Sequence, residues 1–155
     1  MPARCHNRGV KSAFALALCI AATGCLRDGG RDGEGDGECA RDADCDGECT
    51  RTNECVEAGT AIRVEVEWTI AGAAASEESC ASIAELEVIF YEADDEVTNY
   101  APIPCPIGSS TYDKMPPRID RVEMLAYGDG GDILDTQSAD VEPTGTTAVT
   151  FDLQP

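Results

Sequence analysis

Histidine and long apolar runs are what this sequence most clearly lacks. Its one histidine, His6, lies in a segment that we expect to be removed, so the mature chain has none for a catalytic triad, a zinc site or a proton shuttle. Lysine is almost as scarce, since Lys114 is the only lysine after residue 11. No apolar run reaches the roughly 20 residues that a membrane-spanning helix needs. The sequence therefore predicts a mature protein without a transmembrane helix and without histidine-based catalysis.

Basic residues are also few, which leaves the chain strongly acidic. The full sequence carries a formal net charge of −19. The first 24 residues contain three of the basic residues and no acidic one, so the remainder would carry −22. A surface of this charge repels nucleic acid and anionic lipid, and we expect no nucleic-acid partner. The simplest interpretation is a solvated acidic surface that keeps the protein soluble, with cation binding as the alternative.

A signal peptide is predicted by a basic segment followed by a short apolar one. Arg4, Arg8 and Lys11 precede an apolar run at residues 13–22, which is the order found in secretory signals. The run ends in Ala22-Thr23-Gly24-Cys25, which resembles a bacterial lipobox, the motif whose cysteine receives a diacylglycerol and becomes the new N-terminus. The same small residues also suit ordinary signal peptidase, which would release a soluble secreted protein.

The cysteine count favours lipidation. Of the nine cysteines, Cys5 and Cys19 lie in the predicted signal. Six others can pair with one another in an oxidising compartment: Cys39, Cys45, Cys49, Cys55, Cys80 and Cys105. Cys25 is left over, and an odd cysteine in a secreted chain requires a modification or an intermolecular partner. We therefore predict that residues 1–24 are a lipoprotein signal peptide and that Cys25 is the lipidated residue.

Lipid on Cys25 is expected to hold the protein at a membrane. One acyl chain binds only marginally and each buried methylene contributes about 0.8 kcal/mol, so the two or three chains of a bacterial lipoprotein anchor it stably. By resemblance to lipoprotein sorting in Gram-negative bacteria, Leu26 in place of an aspartate suggests the outer membrane. We expect a protein anchored in the cell envelope, with a soluble secreted protein as the alternative.

Two segments without a hydrophobic core follow the signal. Residues 25–38 consist mainly of glycine and charged residues, which predicts a flexible tether. Residues 39–57 contain four cysteines and little apolar material, which predicts a disulfide knot. Three pairings are open, and we favour Cys39 with Cys49 and Cys45 with Cys55, because pairing neighbours would leave two unconnected loops. Each bridge would stabilise the knot by roughly 3 kcal/mol.

The candidates for metal binding are acidic residues of the knot and of a later turn: Asp42, Asp44, Asp46, Asp129 and Asp132. The first three have the alternate spacing that opens an EF-hand calcium loop. The pattern then fails, because the twelfth position is Asn53, where a glutamate belongs, and a cysteine lies inside the loop. An acidic turn fixed by disulfides is the favoured interpretation. We expect no cofactor, with calcium as the alternative.

From residue 58 to residue 155 the sequence predicts a β-sandwich domain. Val64, Val66 and Trp68 alternate with polar residues, and similar runs surround Val88 and Phe151, which is the period of a strand with one buried face. Turn residues separate the runs and no helical period is present, so we predict an all-β, antiparallel sandwich. About seven strands are expected, near residues 60–70, 84–92, 96–101, 108–113, 119–128, 132–141 and 145–153.

Two features should fix the geometry of this domain. The glycine-rich turn at residues 128–131 is expected to make a hairpin, with Ile133 and Leu134 in the return strand. Cys80 and Cys105 remain as a pair, and a bridge between them would constrain the unfolded chain by roughly 3 to 4 kcal/mol.

The arrangement resembles a class of short outer-membrane lipoproteins of myxobacteria and related soil bacteria. The resemblance rests on the lipobox, the acidic tether, the small cysteine cluster and a first strand with Trp68 near its end. It also includes Ser79-Cys80, Cys105, the Met-Pro-Pro corner at residues 115–117 and the Asp-Gly-Gly turn at residues 129–131. The resemblance implies an immunoglobulin-like or transthyretin-like sandwich and an envelope-anchored accessory protein without an enzymatic site.

The sequence therefore predicts a non-enzymatic, lipid-anchored envelope protein that acts as a surface or periplasmic binding or structural module. Its partners would be the membrane, through the acyl chains on Cys25, and an unidentified protein or polysaccharide. The alternative is calcium-dependent adhesion or carbohydrate binding through acidic loops. A glycosidase using carboxylates such as Glu77 and Glu78 is a third hypothesis.

Overall fold

The structure, a computed structural model, describes residues 39–155 and is all-β, as predicted. Its strands are β1 (Glu48–Cys49), β2 (Cys55–Val56), β3 (Ile62–Ile70), β4 (Ala73–Ala74), β5 (Glu85–Glu92), β6 (Asp95–Ile103), β7 (Ser109–Met115), β8 (Arg121–Tyr127), β9 (Ile133–Asp140) and β10 (Thr146–Leu153). Two short 3-10 helices, Asp42–Asp44 and Cys105–Ile107, accompany them. In this part of the chain no helix is long and apolar enough to cross a membrane. The seven long strands match the seven predicted ones.

Two sheets form the sandwich. One contains four antiparallel strands in the order β6-β5-β8-β9. In the other, β3 lies between β10 and β7, and the short β4 pairs with the end of β3. The antiparallel prediction is wrong for one pair, because β10 runs parallel to β3. This happens because the connection after β9 crosses to the other sheet and enters β10 at the end where β3 begins.

Alternate side chains of the long strands fill one core between the sheets. The buried cluster includes Val64 and Trp68 of β3, Phe90 of β5, Met124 of β8 and Phe151 of β10. Successive side chains of a strand point to opposite faces, so alternate apolar residues reach the same interior. Full burial of each such side chain contributes roughly 1.5–3 kcal/mol. The core is therefore the main source of stability.

Side chains join the two sheets along the seam between β9 and β10. The side-chain amide of Gln137 donates to the backbone oxygen of Asp152 at 2.6 Å, and its oxygen accepts from the backbone nitrogen of Asp152 at 3.2 Å. Asp135 accepts a hydrogen bond from the backbone nitrogen of Gln154 at 2.8 Å. These side chains of β9 occupy backbone groups that would otherwise be unpaired at the edge of β10.

Aromatic side chains close the opposite seam, between β6 and β7. The rings of Phe90, Tyr100 and Tyr112 have centroids 4.7 to 6.0 Å apart, with two of the three pairs edge to face. The guanidinium of Arg51, from the knot, lies 5.6 Å from the centre of the Tyr100 ring. The knot therefore contributes to this side of the sandwich.

Three disulfides are present, and their pairing is the one favoured from the sequence: Cys39–Cys49, Cys45–Cys55 and Cys80–Cys105. Inside the knot, Gly47 lies so close to the next strand that an added Cβ would be 2.0 Å from the backbone oxygen of Val56. The knot contacts the end of β7, where the backbone nitrogen of Arg51 donates to the oxygen of Lys114 at 2.7 Å. It is thus packed on the sandwich through backbone as well as side-chain contacts.

The third disulfide holds the segment between β6 and β7 against the core. Cys80 and Cys105 are both buried. The indole nitrogen of Trp68 donates to the backbone oxygen of Cys105 at 2.8 Å, and the backbone nitrogen of Trp68 donates to the oxygen of Gly108. Gly108 has φ of 71°, a conformation that favours glycine. The chain crosses from one sheet to the other between β6 and β7. The disulfide, the hydrogen bond from the indole and the turn at Gly108 hold it in place there.

Candidate functional site

The residue predicted to carry lipid lies outside the described residues, as do the signal peptide and the tether. What the structure provides is the state of the remaining cysteines. Each of the six between residues 39 and 155 is in a disulfide. The pairing on which the argument for Cys25 depends is therefore present in the fold.

Two of the acidic metal candidates serve as hydrogen-bond acceptors within the knot and at its junction. Both carboxylate oxygens of Asp42 lie 2.7 Å from the amine of Lys114, and one accepts from the backbone nitrogen of Cys49. The bond from Lys114 lowers the pKa of Asp42. Asp44 accepts from the backbone nitrogens of Ala40 and Arg41, and the Ala40 bond is the main cause of its lowered pKa. These contacts orient both carboxylates toward the protein.

The other candidates do not complete an oxygen-ligand cluster. Asp46, Asp129 and Asp132 are exposed, and the hairpin turn instead uses the backbone oxygen of Asp132, which accepts from Gly128. Across residues 39–155, the one group of three potential metal ligands within 4.8 Å consists of the sulfurs of Cys39, Cys45 and Cys49. All three sulfurs are in disulfides, so they are not free thiolates for a metal. Glu77 and Glu78 are exposed.

An ion-pair network fixes the knot to the sandwich. Arg118 donates to both carboxylate oxygens of Glu54 in the knot, at 2.9 and 2.7 Å, and to Glu92 at the end of β5. The Arg118 hydrogen bond is the main cause of the lowered pKa of Glu54, whose side chain is 30% exposed. A guanidinium that bridges two carboxylates in this way restrains both. This contact could not be predicted from the sequence, because Glu54 and Glu92 are 64 and 26 residues from Arg118.

A second cluster covers the outer face of the four-stranded sheet. We call it the tyrosine face and define it by eight residues: Glu87, Ile89, Tyr91, Arg121, Glu123, Leu125, Tyr127 and Ile133. The first seven alternate with core residues on β5 and β8. Ile133 belongs to β9 and lies opposite Tyr127 of β8. Ile89 and Leu125 point away from the sandwich core but are only 8% and 7% exposed. Their neighbours on this face therefore cover an apolar patch outside the core.

Hydrogen bonds fix the middle of the tyrosine face. The hydroxyl of Tyr127 donates to one oxygen of Glu87 at 2.7 Å, and the side-chain amide of Asn99 donates to the other at 2.8 Å. The bond to Glu87, with burial and the nearby charges of Glu85 and Glu123, raises the pKa of Tyr127 to about 12. Glu87 is thus held by two donors, so its orientation is set before any partner arrives.

The other end of the face combines an aromatic ring with a cation. The guanidinium of Arg121 lies 4.4 Å from the centre of the Tyr91 ring, a cation–π contact. Burial raises the pKa of Tyr91, and the charges of Glu123 and Glu96 raise it further. The Glu123 carboxylate makes no hydrogen bond or ion pair with residues 39–155. It is therefore the charged group of this face that is open to a partner.

The tyrosine face was not among the predicted sites, although the sequence contains one signal for it. Val88-Ile89-Phe90 and Met124-Leu125-Ala126 are apolar triplets inside otherwise alternating strands. The middle residue of each triplet must point opposite to its neighbours. Two such residues on paired strands indicate an apolar patch on the outer face.

No known family model matches this chain, and no curated protein sequence matches it.

Proposed function

We propose that this chain is a lipid-anchored, non-enzymatic module of the bacterial outer membrane that binds another envelope component. The observation that carries the anchoring is cysteine pairing. With all six cysteines of the knot and sandwich in disulfides, Cys25 is the cysteine without a partner once a signal of 24 residues is removed. It follows Ala22-Thr23-Gly24, and lipidation gives this odd cysteine a chemical role.

The composition of the tyrosine face favours binding as the function of the anchored domain. Tyrosine and arginine are enriched at protein interfaces, and here Tyr91, Tyr127 and Arg121 surround a covered apolar patch. Glu87 is fixed by two hydrogen bonds, which reduces the ordering that a partner would have to impose. The polar side chains of this sheet are already held by hydrogen bonds. With a tether of 14 residues to the membrane anchor, the domain is suited to presenting the tyrosine face to a partner.

Lipidation is tested by expressing the full chain in a Gram-negative host fed with an alkyne-labelled fatty acid. The wild-type chain is expected to take up label, to begin at Cys25 and to fractionate with outer membranes. A Cys25→Ser variant should lose the label and leave the membrane fraction. The matched control, Cys19→Ser, removes a cysteine from the signal without changing the lipobox and should label normally. A wild-type chain that is unlabelled and soluble in the periplasm or medium would overturn the proposal.

A further inference from the structure

The tyrosine face is more acidic than its one arginine can balance. Glu87 and Glu123 lie on it, and Glu85 and Glu96 are close enough to affect the pKa of its tyrosines. Arg121 is the one basic side chain of the face, and it is occupied by the Tyr91 ring. A partner that covers this surface must neutralise carboxylates that the chain itself leaves unpaired.

The same face also exposes an apolar side chain. Ile133 is 56% exposed and stands directly opposite Tyr127 across the β8–β9 pair. The other exposed large hydrophobic residue of the described chain is Ile107, which is exposed to the same extent but lies beside Trp68 in a groove of about 290 Å³ on the other sheet. Ile133 is therefore the apolar contact point that sits beside both tyrosine and carboxylate groups.

We infer that the tyrosine face docks a basic protein segment, one that pairs lysine or arginine with Glu123 and places an apolar side chain against Ile133 and Tyr127. The inference rests on the proposed function, since it names the partner class of that anchored module. Charge complementarity selects this occupant. The basic residues of the knot and sandwich other than Arg121 lie elsewhere: Arg41, Arg51, Arg63, Lys114 and Arg118. A second copy of this acidic chain would bring carboxylates against carboxylates, and a neutral polysaccharide would leave Glu123 unpaired.

Binding is tested first with a defined probe, an eight-residue peptide of alternating lysine and leucine. The full lipidated chain in detergent is titrated with the peptide and followed by the amide signals in nitrogen-15 NMR. The largest shifts are expected at residues 85–91, 121–127 and 133–138. Glu123→Lys should weaken binding about tenfold, because it replaces attraction by repulsion at the contact. Ile133→Ser should weaken it about fivefold through the lost apolar contact.

Two controls separate this site from the general negative charge. Glu67→Lys makes the same change of charge on the exposed face of the other sheet, and Ile107→Ser removes an equally exposed isoleucine; each should change affinity less than twofold. Glu123→Gln serves as a milder variant should the lysine substitution disturb folding. Shifts scattered over both sheets, or a Glu67→Lys effect as large as that of Glu123→Lys, would overturn the inference.

The natural occupant is tested by photo-crosslinking in cells. A photoreactive residue replaces Thr136, which is exposed opposite Leu125, or Thr150, exposed on the other sheet. Support requires a protein adduct at position 136 that Glu123→Lys abolishes and Glu67→Lys preserves, with a crosslinked peptide rich in lysine or arginine. A glycan adduct, a self-adduct, an adduct insensitive to Glu123→Lys, or no adduct would each contradict the inference. These experiments keep Cys25, so their failure leaves lipidation untouched.

Discussion

The disulfide between Cys80 and Cys105 allows the stability of the sandwich to be perturbed by a calculable amount. It joins residues 25 apart in sequence. In the chain-entropy model, closing a loop of this size in the unfolded chain stabilises the folded state by about 3.5 kcal/mol. Both sulfurs are buried, so replacing the two cysteines by alanine also leaves small cavities that cost about 1 kcal/mol. The double variant should therefore lose about 4.5 kcal/mol, enough to lower Tm by about 14–22 °C in a domain of this size.

Thermal unfolding followed by the fluorescence of Trp68 is the appropriate assay. The indole donates to the backbone oxygen of Cys105, so it reports on the segment that the bridge restrains. A Cys39→Ala/Cys49→Ala variant is the matched control, because it removes a disulfide from the knot and leaves the sandwich core intact. We expect its effect on the Trp68 transition to be less than half as large. A Tm change below about 4 °C in the Cys80→Ala/Cys105→Ala variant would refute the loop-closure argument.

Three further predictions concern the knot and the tyrosine face. Gly47→Ala should prevent the native pairing of the knot cysteines, because its Cβ would meet a backbone oxygen of β2 at 2.0 Å; peptide mapping of the disulfides tests this, and native pairing would contradict it. The pKa of Asp42 is lowered by Lys114, so their contact stabilises the fold above the ordinary carboxyl pKa near 3.8 and is lost as the pH falls through the lowered value. The protection factors of the knot amides, which compare their exchange rates with the intrinsic rate at the same pH, should fall at acid pH, and a Lys114→Met variant should lack this pair's contribution; identical profiles would contradict the assignment. The pKa of Tyr127 is raised to about 12, so its bond to Glu87 stabilises the fold below pH 10 and is lost as the pH rises toward 12. In a phenolate absorbance titration, the step near pH 12 should be missing from Tyr127→Phe, and its persistence would contradict the assignment.

The strands could be predicted because their signal is local. On β3 every second residue from Ile62 to Ile70 is buried, and the sequence shows that alternation directly. The same holds for β10, where Val149, Phe151 and Leu153 are buried and the residues between them are exposed. A period of two specifies which face of a strand is apolar, whatever its neighbours are.

The orientation of strand pairs could not be predicted in the same way. Nothing within residues 146–153 distinguishes a strand that runs parallel to β3 from one that runs antiparallel, because the alternation reads the same in both directions. The choice depends on which edge of the sheet that contains β3 is free when the chain leaves β9, and on the end of β3 at which the crossing connection arrives. That is a property of the assembled sandwich.

The candidate site was harder to predict from the sequence than the fold. The acidic residues singled out for calcium had a recognisable spacing, yet Asp42 and Asp44 are engaged by Lys114 and by backbone nitrogens. The tyrosine face has no sequence motif at all, since its members come from three strands. The apolar triplets around Ile89 and Leu125 are its one local sign.

The sequence by itself determined the all-β class, the number and position of the long strands and the supply of cysteines for three bridges, because alternation and composition act over a few neighbouring residues. Only the tertiary structure decided that β10 runs parallel to β3, that Arg118 joins the knot to β5, and that Glu87, Tyr127 and Ile133 share one face. These depend on contacts between residues far apart in the chain. Such contacts form only when two sheets bury their apolar faces against each other and bring the strand edges into register.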